Sequence, residues 1–337
     1  MWEADQNNIH SGGALPRARR AFSLVGLGIF GILALSYLLD YPAQALADGL
    51  WPGWQEHPWG LWLVNYVPFY GIAVPAGLWI LKKLPVSPPE KMLGFPGKLL
   101  ALFACISCFL MYAGNLLGIG VTGLLRLIPG VTASDPVSAI VSTAAFLPRL
   151  LVVVLLAPIL EDYIFRKILI DRLGIYGEKT AVILSALLFG LFHGNLSQFF
   201  YAFFLGLCFG YFYLRTGQLR LTVLLHMAIN FMGGILAPAF LKKLPFLLEK
   251  NPDPEALIQG LTQALPWVIL LILYAFGILV IALLGLVLLC VNRKRIIFRP
   301  ALRELPRGTV GKTALLNPGM LLALAGCLAL MIRSLFR

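Results

Sequence analysis

Long apolar runs, separated by short polar stretches, dominate the chain. Nine of them approach the ~17–25 residues that a helix needs to cross a bilayer. They lie near 21–39, 61–81, 99–119, 147–165, 180–193, 199–214, 221–241, 267–291 and 320–332. The fifth, sixth and ninth are short, so the pattern predicts an all-α, polytopic membrane helix bundle of about 8–9 transmembrane helices. The intervening stretches divide the chain further. Residues 1–20 read as a flexible cytoplasmic tail and 21–146 as N-terminal transmembrane helices and loops. Residues 147–241 form a core, 242–291 an outside loop and a transmembrane helix, and 292–337 a basic linker and a C-terminal apolar helix. The first outside loop, 40–60, carries Trp51, Trp54 and Trp59, which read as an interfacial belt. A short interfacial helix is expected between Gly120 and Phe146, and a second outside loop over 242–266.

Composition agrees with the pattern. The chain of 337 residues is 59% hydrophobic and only 12% charged, with mean hydropathy +0.86. Soluble domains carry about 25% charged residues. The net charge of +12 does not point to nucleic acid, because its distribution has another explanation. With the amino terminus inside, the inside stretches hold 20 of the 27 Lys and Arg and the outside stretches seven. That asymmetry predicts a cytoplasmic amino terminus. A multi-pass protein in contact with membrane lipids is the expected setting. Arg17, Arg19 and Arg20 precede the first run, but its length exceeds the ~7–15 residues of a signal sequence, so a retained anchor is expected. All five cysteines fall in apolar segments, and Cys105-Ile-Ser-Cys108 lacks a βαβ context, which favours small residues at a helix contact over a redox motif. No internal repeat supports an inverted-repeat transporter.

The charges that break the pattern carry the chemistry. Of fifteen acidic residues, Glu161 and Asp162 lie inside a long apolar run, with Arg166 close behind. Each such charge costs at least ~2.5–3.5 kcal/mol to insert, so a role is expected. Asp162 and Arg166 are i,i+4 and can pair along one helix face, while Glu161 lies about 100° around the helix and points elsewhere. Two of the four histidines also sit in apolar runs, each with an i,i+4 companion: Phe189 before His193, and Asn230 after His226. Taking Arg166 and Arg220 as markers of the cytoplasmic edge puts Glu161 and His226 about 7–9 Å deep, in a cavity expected to open to the cytoplasm. His193, measured from Lys179, would lie about 21 Å deep, so its helix is expected to tilt or to begin outside the bilayer.

Glu161-Asp162-x-x-x-Arg166, Phe189-x-x-x-His193 and His226-x-x-x-Asn230 occur in that order on successive helices. The order resembles that of the CAAX protease and bacteriocin-processing (CPBP) family, historically called Abi proteins, which includes the Ras-converting CAAX endopeptidases. Tyr213-Leu-Arg215-Thr-Gly217-Gln-Leu219 is also similar to the family's bacterial members. The resemblance covers about 148–234. It departs from the family at Asp162, where a second glutamate is usual.

The resemblance implies an intramembrane endopeptidase that hydrolyses a membrane-associated peptide or protein substrate. Glu161, assisted by His193, would activate water, and His226 with Asn230 would stabilise the oxyanion. Asp162, Arg166 and Phe189 would support them. An older, metalloprotease version has Glu161, His193 and His226 hold Zn2+; both versions, with no required cofactor or with zinc, stay open at this point. No nucleic acid is expected, and no oligomeric state is implied. A non-proteolytic scaffold or immunity partner that keeps the fold is the alternative. A transporter using these groups as a proton relay is a third reading.

Overall fold

The computed structural model describes residues 2–133, 145–244, 253–301, 303–306 and 308–336. Among the described residues there are eleven helices and no strand. Seven of them are long and apolar enough to span a membrane. These are α1 (Trp2–Leu50), α2 (Gly60–Leu81), α3 (Gly97–Leu125), α6 (Leu196–Thr216), α7 (Leu219–Phe240), α9 (Leu265–Asn292) and α11 (Pro318–Leu335). The others are α4 (146–173), α5 (Glu178–Phe192), α8 (Pro254–Gln263) and α10 (Val310–Leu315).

All nine apolar runs are helices, and the two that miss the spanning criteria miss them for physical reasons. Helix α4 is long enough but carries Arg149, Glu161, Asp162, Arg166 and Lys167, and α5 has only 15 residues. The chain is a multi-pass membrane protein. Helical backbone already runs through 15–20, ahead of the first apolar run. Two loop expectations need correction. Helix α1 continues through Pro42 to Leu50, which shortens the first loop to 51–59. The expected loop 242–266 contains α8. Of the stretch from Gly120 to Phe146, where an interfacial helix is expected, 134–144 lies outside the described residues.

Small residues set the helix contacts. A Cβ on Gly285 of α9 would meet the Cys105 carbonyl oxygen of α3 at 2.0 Å, so the Cys105–Cys108 stretch is a close helix contact, as its small side chains suggested. The basic linker is not a loose tether. The Arg303 amide donates to the Ile175 carbonyl, the Arg299 amide donates to Glu178, and Leu305 is buried.

Among the described residues four stretches are widened into π geometry; one, Tyr163–Ile168 in α4, has no proline after it, and the other three are Phe69–Ala73, Leu150–Leu156 and Met232–Leu236. Each of these three is followed two residues later by a proline: Pro75, Pro158 and Pro238. Proline has no N–H, and its ring collides with the carbonyl four residues back. Widening the preceding turn relieves that collision. The amides just before the prolines show the result, bonding five residues back: Val74 to Phe69, Ala157 to Val152, and Ala237 to Met232.

Candidate active site

Helices α4 and α5 form a hairpin. A 3-10 turn at Gly174–Tyr176 and Gly177, at φ +143°, reverse the chain. Residues 165 and 185 then face each other, with the Ser185 hydroxyl donating to the Phe165 carbonyl. Glu161 lies twelve residues before the end of α4 and His193 fifteen residues after the start of α5, about 18 and 22 Å along two antiparallel helices. They therefore reach similar heights, and no special tilt is required. The depth mismatch expected from the sequence came from taking Arg166 as a membrane edge. Its side chain is in fact 0% exposed, deep in the bundle.

The second corner brings in His226 and Asn230. Helix α6 ends at Gly217, which adopts φ +61°, and a Cβ there would lie 2.8 Å from the backbone at Glu90 and Lys91. The Gln218 side chain donates to the Met92 and Gly94 carbonyls, and Arg215 pairs with Glu178 of α5. The Arg215-Thr-Gly217-Gln-Leu219 stretch is thus a structural corner that aims α7 back into the bundle.

Within the bundle, Asp162 has two partners. Its Oδ1 lies 3.1 Å from Arg166 Nη1, the pair expected along α4, and also 3.1 Å from His226 Nδ1 on α7. This second contact was invisible in the sequence, since 64 residues separate the two. Asp162 therefore holds the His226 ring by one nitrogen and turns the other, Nε2, toward Glu161 Oε2 at 3.6 Å. Asp162 and Arg166 are fully buried, whereas the Glu161 side chain is 24% exposed, so the two neighbouring carboxylates face different surroundings.

His193 is oriented through its own helix. Its Nδ1 sits 2.8 Å from the Phe189 carbonyl, which can only accept, so the proton is on Nδ1. The Nε2 lone pair is left available. The Phe189 ring lies edge-on to both histidines, at 5.0 Å from His193 and 5.8 Å from His226, and the Arg166 guanidinium stacks over it at 4.1 Å. Phe189 thus packs between the Arg166 guanidinium and the two histidine rings.

Asn230 is positioned by the broken helix opposite. In the widened register of α4, the Val153 carbonyl would accept from residue 158, which is proline and has no proton to give. Asn230 Nδ2 supplies the missing bond at 2.9 Å. One N–H of the amide is used in this way and the second remains.

Glu161, His193, His226 and Asn230 all line one cavity of about 700 Å³. Its walls include the widened stretches of α2, α4 and α7. Lining residues that the sequence reading missed are Tyr66 and Tyr70, stacked with ring centroids 5.7 Å apart, and Arg126 and Arg149. The i,i+4 spacing of the two tyrosines in an apolar run was the available signal. From α3, the lining residues are Met111, Asn115, Ile119, Thr122 and Gly123, all in its second half. The cavity therefore extends away from the basic end of the bundle, contrary to the expected opening.

The zinc option was tested on the donor set. Among the described residues, no three His, Cys, Asp or Glu side chains are grouped to hold one metal ion. Glu161, His193 and His226 share the cavity without forming such a cluster, so no step is assigned to a metal.

Residues 143–232 match a family model described as type II CAAX prenyl endopeptidase Rce1-like. The matched stretch contains the four cavity residues Glu161, His193, His226 and Asn230 together with Asp162, Arg166 and Phe189. No curated protein and no solved structure matches the chain.

Proposed function

Taking the chain as a member of this protease family, we propose that it is an intramembrane endopeptidase acting on a membrane-associated peptide or protein. The observation that carries the reading is the Asp162–His226–Glu161 relay, with Glu161 partly exposed on a cavity shared with His193. Glu161 acts as general base and takes a proton from a water molecule, whose oxygen attacks the scissile carbonyl. His193 Nε2 accepts the water's other hydrogen and orients it. His226, as an imidazolium whose Nδ1–H is held by Asp162 and whose charge the carboxylates of Asp162 and Glu161 balance, donates from Nε2–H to the oxyanion, and the second N–H of Asn230 adds a further donor. Glu161 then returns its proton to the leaving nitrogen as the C–N bond breaks, yielding a carboxylate and an amine.

Asp162 carries the role that the family gives to a second glutamate, and its reach to both Arg166 and His226 supports that substitution. The resemblance of Tyr213–Leu219 to bacterial members supports a bacterial inner membrane. The test is cleavage of membrane-associated peptides by purified protein. Glu161→Gln and His226→Ala should each abolish it, and turnover surviving in both would sink the reading.

A further inference from the structure

A second cavity, of about 460 Å³, lies apart from the chamber and shares none of its described lining residues. Lys91, Tyr163 and Lys167 line it, together with the Gly217–Arg220 corner between α6 and α7. The corner holds the chain at Lys91 in place. A Cβ on Gly217 would lie 2.8 Å from the Lys91 Cα, and the Met92 amide donates to the Thr216 carbonyl. The volume falls within the ~300–1,000 Å³ of small-molecule sites.

Three of the lining side chains are cations and, among the described residues, none is acidic. Basic residues gather at one end of many membrane proteins, so their presence alone marks no site. Here they meet at one concave space from three separate segments: the loop before α3, helix α4 and the start of α7. Lys167 is balanced by Asp171 at 2.7 Å, a carboxylate outside the lining. Arg220 Nε donates to the neutral Gln218 side chain, and Glu90, next to Lys91, pairs with Arg299 at 3.8 Å. Lys91 and Arg220 thus bring two charges that no lining carboxylate balances. Lys82 Nζ, 6.0 Å from the Tyr163 ring, adds a further cation close by.

An apolar ledge runs beside the cations. Met92, Leu93 and Phe95 follow Lys91 and are 40%, 94% and 62% exposed. The Gln218 side chain fixes that ledge by donating to the Met92 and Gly94 carbonyls. A free inorganic anion would use the cations and leave the ledge bare, whereas an anionic phospholipid uses both.

We propose that this cavity binds the phosphate group of an anionic phospholipid, with the acyl chains laid along Met92, Leu93 and Phe95. Basic pockets between transmembrane helices hold such headgroups in other membrane proteins. The occupant would touch α4 at Tyr163 and Lys167, each one residue beyond the Asp162–Arg166 pair, and α7 at Arg220, six residues before His226. It would therefore bridge the two helices that the Asp162–His226 contact joins inside the bundle. Binding of this kind requires no peptidase activity, so it stands or falls apart from the proposed function.

Native mass spectrometry of full-length protein, stripped of lipid in a neutral detergent, tests the site. The first copy of phosphatidylglycerol should bind at about tenfold lower concentration than phosphatidylcholine, whose choline cancels the phosphate charge. Lys91→Gln combined with Arg220→Gln should erase that preference, and Lys91→Arg should retain it. Both side chains are exposed, so neither substitution opens the core. If the double variant unfolds at a lower temperature than wild type, Lys91→Gln alone should still narrow the preference. Lys98→Gln, at an exposed lysine outside the cavity, should leave it intact. Equal binding of the two lipids, an unchanged preference in Lys91→Gln, or an equal loss in Lys98→Gln would overturn the site. Inorganic phosphate at the concentration of the lipid should not displace phosphatidylglycerol. Displacement would mark a free-anion site and overturn the lipid assignment.

Discussion

Removing the carboxylate of Asp162 separates what that residue does for the fold from what it does for the reaction. In Asp162→Ala, the Arg166 guanidinium loses the ion pair at 3.1 Å while both side chains are 0% exposed. Breaking a buried pair by deleting one partner costs about 3–5 kcal/mol, because the remaining charge is left uncompensated. The stacking of Arg166 on Phe189 at 4.1 Å and on Phe209 at 5.4 Å keeps the loss toward the lower end of that range. Replacing both partners, as in Asp162→Leu with Arg166→Met, removes the buried charge altogether and should recover most of the stability. Activity should not return, because His226 has lost the acceptor that fixes its Nδ1. A ring free to rotate should lower turnover by about 100-fold. Thermal unfolding in detergent and cleavage of a fluorogenic peptide, measured on the same three proteins, give both readings. If the double variant recovers turnover along with stability, the orienting role of Asp162 is wrong.

The link between Pro158 and Asn230 predicts a coupled pair. Asn230→Leu alone should cost about 1–3 kcal/mol by leaving the Val153 carbonyl without a donor, and Pro158→Ala, which restores a backbone N–H, should shrink that cost in the double variant. Additive effects in unfolding experiments would refute it. Gly217→Ala should lose at least about 1–2 kcal/mol for the left-handed backbone, and more for the close approach to Glu90, read as a lower midpoint of thermal unfolding. Asp162→Glu should retain activity within about tenfold if one methylene can be absorbed between Arg166 and His226, and a loss above about 100-fold would show that this chamber is fitted to the shorter side chain.

The apolar runs anticipated the helices well, because insertion into a bilayer imposes a length and a composition that any reader of the chain can see. The i,i+4 pairs were equally legible: Asp162 with Arg166, and Phe189 with His193, are contacts within one helix turn. What escaped were contacts between helices. Asp162 meets His226, and Val153 meets Asn230, across 64 and 77 residues, and no local periodicity encodes such pairings. Depth was misjudged for a related reason. A charged residue was taken as a membrane boundary, when Arg166 is stabilised internally by Asp162 and two aromatic rings. The basic linker was legible only as a charged cytoplasmic stretch, because hydrogen bonds from its backbone leave no mark in its charge pattern.

The widened turns of α4 make the chamber intolerant of a change that hydropathy would overlook. Deleting one residue from Leu150–Leu156 would leave an apolar helix still able to cross the bilayer. It would also let the widened turn close toward α geometry and press the Pro158 ring against the Val154 carbonyl, the collision that the widening relieves. The helix would then kink just before Glu161, with every motif residue still present in the sequence. The same deletion in α9, where few residues are buried, would cost only a step of lipid contact. For this chain, the widened stretch before Glu161 is as much a part of the candidate site as the side chains are.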